Sequence, residues 1–132
     1  MRQRDTILIV DDMEINRVIL SGLFQDEYHL LEAENGEQAL LLLKQYHSNI
    51  AIMLLDVVMP VMDGYQAARA IRGSGKKDAE MIPIIAITAN AFAEDKRKTM
   101  EAGMDAHLSK PLNVQELMDT IRKFCADKQI CQ

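Results

Sequence analysis

Tryptophan is absent from this chain of 132 residues, and cysteine, proline and aromatic residues are scarce. The two cysteines, Cys125 and Cys131, both fall near the C-terminus. They cannot build a disulfide framework, and neither a Cys-x-x-Cys pair nor a Cys/His metal spacing occurs. Such cysteine use suits a reducing, cytoplasmic setting. Basic residues are not in surplus: 15 Lys and Arg stand against 20 Asp and Glu, for a net charge of −5. That balance argues against direct contact with nucleic acid or an anionic membrane. No apolar run approaches the roughly 18 residues of a membrane-spanning helix. The N-terminus lacks the apolar region of a signal peptide. No internal repeat or low-complexity segment is present. What remains is an ordinary globular composition, 48% hydrophobic and 27% charged. The length suits a single domain spanning 1–132, with a core at about 5–126 and a C-terminal tail at 127–132. A chain of this size can bury roughly two-thirds of its unfolded surface.

Five short apolar runs alternate with five helical patterns. Thr6 to Val10 is a β-rich run stopped by Asp11 and Asp12. The helix after it carries Ile15, Val18, Ile19 and Leu23 on one face at 3.6-residue spacing. Tyr28 to Ala33 reads as a second strand, more polar and so nearer a sheet edge. Asn35 can cap the next helix, with Gln38 at the capping-box position, and that helix ends near Tyr46. Ile50 to Asp56 is almost wholly apolar until its final acid, which suits a strand buried on both faces. Asp63 can cap a third helix through Ala67, Ala68 and Ile71. The stretch Gly73-Ser74-Gly75-Lys76 superficially resembles a phosphate loop, but it lacks the preceding strand and the full spacing and reads as a solvated loop. Pro83 to Thr88 is the fourth strand, with proline tolerated at its start. A charged helix from about Ala93 to Ala102 ends at Gly103, a C′ glycine. Ala106 to Ser109 is the fifth strand. Asn113 and Glu116 resemble a capping box for a last helix, striped by Val114, Leu117, Met118, Ile121 and Phe124/Cys125. Alternation of this kind implies an α/β fold, a doubly wound parallel sheet with helices on both faces. One common strand order is 2-1-3-4-5, with its switch point between strands 1 and 3.

In that arrangement the strand C-termini share one edge. Asp11 and Asp12 end strand 1, Asp56 ends strand 3, Thr88 ends strand 4 and Lys110 follows strand 5. Taken singly, each has a plain structural role. Asp11 or Asp12 reads as a helix N-cap, Thr88 as a β-branched strand residue, Lys110 as a solvated lysine and Asp56 as a turn residue. Their joint placement argues for a site. Three carboxylates at close quarters repel, and cations are needed to keep them charged. Lys110 is one such cation, and Mg²⁺, which takes carboxylate, water and phosphate oxygens, is the natural second. A carboxylate, a metal site, an ammonium and a hydroxyl together suit phosphoryl transfer, with an acyl phosphate on Asp56 as product.

The motifs Ile9-Val10-Asp11-Asp12, Leu55-Asp56-Val57-Val58-Met59-Pro60-Val61-Met62-Asp63-Gly64, Ile87-Thr88-Ala89-Asn90-Ala91, Ala102-Gly103-Met104-Asp105 and Ser109-Lys110-Pro111 span nearly the whole chain. With them the chain resembles the receiver domain of two-component response regulators, the CheY-like superfamily, whose fold is a flavodoxin-like three-layer sandwich. The stretch from Thr88 to Leu112 looks especially like receivers attached to hybrid sensor histidine kinases. The chain therefore reads either as a stand-alone receiver or as one cut from a larger protein.

The resemblance implies that Asp56 accepts a phosphoryl group from a phosphohistidine on a histidine kinase or histidine phosphotransfer protein. It implies Mg²⁺ bound by Asp12, Asp56 and the Val58 carbonyl, with Asp11 acting through a water. Lys110 would hold one phosphoryl oxygen, and Thr88 with the Ala89 amide another. Lys110-Pro111 would be cis, as only about 5–6% of X-Pro bonds are. Thr88 would switch inward on phosphorylation and a side chain on the fifth strand would fill its space. The family usually has Tyr or Phe there; this chain has His107. If His107 takes that role, the switch depends on pH where imidazole titrates. Val58 and Asn90 occupy positions that tune the lifetime of the acyl phosphate. Val58 cannot position a water, so a long-lived phosphoryl group is expected. Such a domain promotes its own phosphorylation and dephosphorylation without being a turnover enzyme. The face of the fourth helix, fifth strand and fifth helix is the family's output surface and an expected homodimer face. The first helix, with Met13, Ile15 and Asn16, is the usual dock for the donor, although Ile15 reads more readily as packed on the sheet. The expected location is cytoplasmic, with a tether to a membrane sensor where the receiver is part of a kinase.

Two rival functions fit the same edge less well. A Mg²⁺-dependent phosphatase with an aspartate nucleophile needs a D-x-D pattern, and Asp56 is followed by Val57-Val58. A flavodoxin-like interaction module without phosphotransfer has no reason to gather Asp12, Asp56 and Lys110.

Overall fold

The computed structural model describes residues 5–57, 62–74, 81–88, 93–109 and 113–130. Five strands run β1 Thr6–Val10, β2 His29–Ala33, β3 Ile50–Asp56, β4 Ile84–Thr88 and β5 Ala106–Ser109. Among the described residues, five helices lie between and after them: α1 Glu14–Phe24, α2 Gly36–Tyr46, α3 Gly64–Arg72, α4 Ala93–Glu101 and α5 Val114–Ile130. The strands form one sheet in the order β2-β1-β3-β4-β5, and every pairing is parallel. The expected α/β architecture and order are thus present, with the more polar β2 at an edge. Every residue of β1, β3 and β4 is buried, as continuous apolar runs require when both sheet faces are covered.

The period of two along each strand divides the core into two layers. Leu8, Val10, Met53, Leu55, Ile84 and Ala86 face α2 and α3, where Ala39, Leu43, Ala67, Ala68 and Ile71 meet them. Ile7, Ile9, Ile52, Leu54, Ile85 and Ile87 face α1 and α5, where Leu20, Phe24, Leu117 and Ile121 meet them.

Local chemistry sets the helix ends. Asn35 caps α2 by accepting the Gln38 N–H at 2.9 Å. The Gln38 side chain reaches the Glu34 N–H, one residue ahead of the expected box partner. Asp63 and Gln66 make a complete capping box on α3. After α4, Gly103 adopts φ 89°. Its N–H bonds the Met100 carbonyl and the Met104 N–H bonds the Thr99 carbonyl, a Schellman stop that favours glycine. Asn113 accepts the Glu116 N–H at 3.0 Å at the start of α5.

Two expectations need correction. The expected tail at 127–132 is helical as far as Ile130, so α5 outlasts its apolar stripe. More consequentially, α1 is turned about its axis relative to the expected packing. Ile15, Val18 and Ile19 are each more than half exposed and Leu23 is 36% exposed, while Arg17, Leu20 and Phe24 are buried. Both sets satisfy helical spacing. The Arg17 face wins because the guanidinium finds carboxylates on and just beyond the adjoining strand, Glu32 at 3.2 Å and Glu34 at 3.8 Å.

Candidate phosphoryl and metal site

The C-terminal edge of the sheet gathers the acids. Asp11 follows β1 directly, and its N–H extends the ladder to the Ala33 carbonyl at 3.1 Å. Asp56 is the last residue of β3. Asp11 and Asp56 are 3% and 5% exposed, whereas Asp12 points to solvent. One carboxylate oxygen from each of Asp11, Asp12 and Asp56 lies within 4.8 Å of the others. Two buried carboxylates and an exposed third, all hard oxygen donors, fit a small divalent cation that keeps part of its water shell.

Asp11 is not the helix cap it resembles in sequence. Met13 occupies the N-cap of α1 and makes no side-chain cap bond. The Asp11 carboxylate instead takes the Met13 N–H on Oδ1 at 2.9 Å and the Asn16 side-chain amide on Oδ2 at 3.2 Å. Arg17 donates from Nη1 to the Asp11 main-chain carbonyl at 2.7 Å. Sequence reasoning did not assign Arg17 a place and set Asn16 only on a docking face. The signal was available as an adjacent Asn-Arg pair one helical turn past the acids, but its meaning depends on how α1 is rotated.

Glycine is needed where α3 meets the end of β3. The Gly64 N–H bonds the Val57 carbonyl at 2.9 Å. A Cβ at Gly64 would stand 2.5 Å from the Asp56 main-chain oxygen and 2.8 Å from Val57 Cα. Only the absence of a side chain lets the capped helix press against the backbone of Asp56. Opposite, Val57 donates its N–H to the Ile87 carbonyl at 3.0 Å, tying the β3 exit to β4.

Thr88 ends β4, is 5% exposed and stands in register with Ser109. His107 is partly buried on β5 beside Ala86. Register and pleat put Thr88 and His107 on the same sheet face, on adjacent strands. Lys110, Val58, Ala89, Asn90 and Pro111 lie outside the described residues, as do residues 75–80. The structure therefore unites Asp11, Asp12 and Asp56 and puts Thr88 at the end of the strand beside Asp56.

Next to the acids, α1 presents Met13, Ile15, Val18, Ile19 and Leu23 to solvent. Contiguous exposed apolar surface of this kind marks an interaction site more often than a packing accident. Ile15 belongs to this surface and does not pack on the sheet. On α4, Arg97, Lys98, Met100 and Glu101 are exposed and Thr99 is buried, as expected of a helix with a narrow inner face. No helix among the described residues is long and apolar enough to cross a membrane.

Residues 7–122 match the family described as response regulator receiver domain. The sensor histidine kinase RcsC of Escherichia coli (strain K12) is 42% identical over 119 residues, which covers 89% of this chain and 12% of RcsC. The chain thus spans a small fraction of that relative. The receiver domain of the sensor histidine kinase PA1611 from Pseudomonas aeruginosa PAO1, solved with a magnesium ion coordinated in its active site cleft, is 30% identical with a TM-score of 0.79. It covers 92% of this chain and 98% of its own. A chain of the complex between the Saccharomyces cerevisiae histidine phosphotransfer protein Ypd1 and the receiver domain of Ssk1 is 27% identical with a TM-score of 0.86, covering 97% of this chain and 93% of its own.

Proposed function

The chain belongs to the family of response regulator receiver domains of two-component systems, and on that premise we propose that Asp56 is its phosphoacceptor, served by Mg²⁺ and a phosphohistidine donor. The single observation that carries this reading is the convergence of Asp11, Asp12 and Asp56 at one strand edge. A fold alone would not require three acids there, two of them buried.

In the proposed step an Asp56 carboxylate oxygen attacks phosphorus. The new bond is O–P and the bond broken is the P–N bond of the donor imidazole. The electron pair stays on that nitrogen, which leaves as neutral imidazole when the other ring nitrogen carries a proton. Asp11, Asp12 and Asp56, with the Val58 carbonyl, would hold Mg²⁺, which when bound neutralises charge on the phosphoryl oxygens. The Lys110 ammonium would hold one of those oxygens. The Thr88 hydroxyl and the Ala89 N–H would hold another. Gly64 keeps α3 against the Asp56 backbone and so holds the nucleophile at the edge.

The exposed apolar face of α1 serves in this reading as the dock for the donor, a histidine kinase or histidine phosphotransfer protein. It adjoins Asp12, so a helix seated on it brings its phosphohistidine toward Asp56. The complex of Ypd1 with the Ssk1 receiver, similar in fold to this chain, supports such a pairing. Thr88 and His107 form the proposed switch, since they share a face on neighbouring strands. We further place the domain in the cytoplasm as one receiver unit, with α4, β5 and α5 as its output and dimer face.

The test is incubation with acetyl phosphate and Mg²⁺, followed by intact-mass and peptide mapping. One phosphoryl group is expected on Asp56, absent in Asp56→Asn and absent with chelator. Turnover of phosphomonoesters would instead identify a phosphatase. Neither modification nor turnover would leave an interaction module.

A further inference from the structure

The Asp11 carboxylate is held at both oxygens, by the Met13 N–H on Oδ1 at 2.9 Å and by Asn16 Nδ2 on Oδ2 at 3.2 Å. Its main-chain carbonyl is held separately, by a buried bond from Arg17 Nη1 at 2.7 Å. Arg17 is in turn fixed by Glu32, whose Oε1 is 3.2 Å from Nε, and Glu34, whose Oε1 is 3.8 Å from Nη2. The Arg17 side chain is only 10% exposed.

Packing alone does not call for this arrangement. Arg17 lies on the buried face with Leu20 and Phe24, where an apolar side chain would fill the space. The pairs with Glu32 and Glu34, whose side chains are 43% and 62% exposed, let the guanidinium be buried but add little stability of their own. What the pair accomplishes is orientation. Three carboxylate oxygens lie within 4.8 Å of one another at Asp11, Asp12 and Asp56. Mutual repulsion turns such groups apart unless donors fix them. Two donors on one carboxylate restrict its rotation and leave its remaining lone pairs in a set direction. Loss of groups of this kind around metal ligands typically weakens metal binding about 10- to 100-fold.

We infer that Asn16 and Arg17 are positioning residues for the metal site: Asn16 aims the Asp11 carboxylate and Arg17 anchors its main chain. The inference rests on the reading of the three acids as a Mg²⁺ site.

The experiment is calorimetric titration of Mg²⁺ into the wild type, Asn16→Ala, Asp11→Ala and the double variant, with thermal unfolding of each. Asn16→Ala is expected to weaken Mg²⁺ about 10- to 100-fold while unfolding near the wild-type midpoint, because Asn16 is only partly buried. In the Asp11→Ala background the same substitution should do nothing more, since its route of action is gone. Arg17→Lys, which retains a donor, should bind Mg²⁺ more tightly than Arg17→Met. Unchanged affinity in folded Asn16→Ala, or equal weakening with and without the Asp11 carboxylate, would overturn the inference. A wild type that takes up no Mg²⁺ would overturn the underlying metal reading, and the inference with it.

Discussion

Ile19 and Leu20 are neighbours in sequence and opposites in the fold, and truncating each in turn measures the rotation of α1. Leu20 is 4% exposed and sits in the core layer with Ile9, Ile52 and Leu117. Leu20→Ala leaves a cavity there and is expected to cost about 2–5 kcal/mol. Ile19→Ala removes three carbons, whose full burial would be worth about 2.4 kcal/mol at about 0.8 kcal/mol each. Ile19 is 56% exposed, so less than half of that is realised. The better helix propensity of alanine returns a few tenths, leaving a loss of about 0.5 kcal/mol. At about 4 °C per kcal/mol for a chain of this size, Leu20→Ala should lower the midpoint by at least about 8 °C and Ile19→Ala by about 2 °C. Urea titration with an unchanged m-value checks that the folded state is otherwise kept. A phosphotransfer assay should reverse the order of damage. Ile19→Ala should slow transfer from a phosphorylated histidine phosphotransfer protein and leave modification by acetyl phosphate intact, because the small donor needs no docking face. Equal destabilisation by the two variants would refute the packing described for α1. Equal slowing with both donors would refute the dock.

Three further outcomes follow from the geometry. Gly64→Ala should cost about 1–3 kcal/mol and slow labelling of Asp56, since its Cβ meets the Asp56 backbone at 2.5 Å; denaturant titration and acetyl phosphate kinetics check both, and wild-type values in each would refute it. Arg72 clamps the far end of the sheet, donating to the Gly103 carbonyl, the Ile82 carbonyl and Asp105 Oδ2, each at 2.8 Å. Arg72→Met should therefore cost about 2 kcal/mol by urea titration without changing the rate of Asp56 labelling. Gly103→Ala should lose about 1–2 kcal/mol, because it forces a side chain into φ 89° and toward Arg72 Cγ at 2.8 Å; an unchanged unfolding midpoint would argue against that strain.

Much of the molecule was legible without coordinates because the physical constraints on a parallel sheet are local. A strand covered on both faces must be apolar along its length, so Thr6–Val10, Ile50–Asp56 and Ile84–Thr88 declare themselves. A charge or hydroxyl at the end of such a run must lie at the sheet edge, which is how Asp11, Asp56 and Thr88 could be grouped. Gly103 and Asp63 are likewise read from backbone chemistry that acts within a few residues.

Helix orientation was another matter. Spacing shows that α1 has an apolar face but does not say which way it turns. Ile15, Val18, Ile19 and Leu23 looked like the inner stripe, and Arg17 had no assigned place. The tertiary structure reverses this because Glu32 and Glu34, on and beside a strand that is distant in sequence, neutralise the guanidinium and let it descend. From that one choice came both the exposed apolar face beside the acids and the hold of Asn16 and Arg17 on Asp11. Which residues end the strands is set locally, since backbone burial acts residue by residue. How those residues are aimed is set by the packed fold, since a side chain's direction depends on partners that the chain brings close only after it folds.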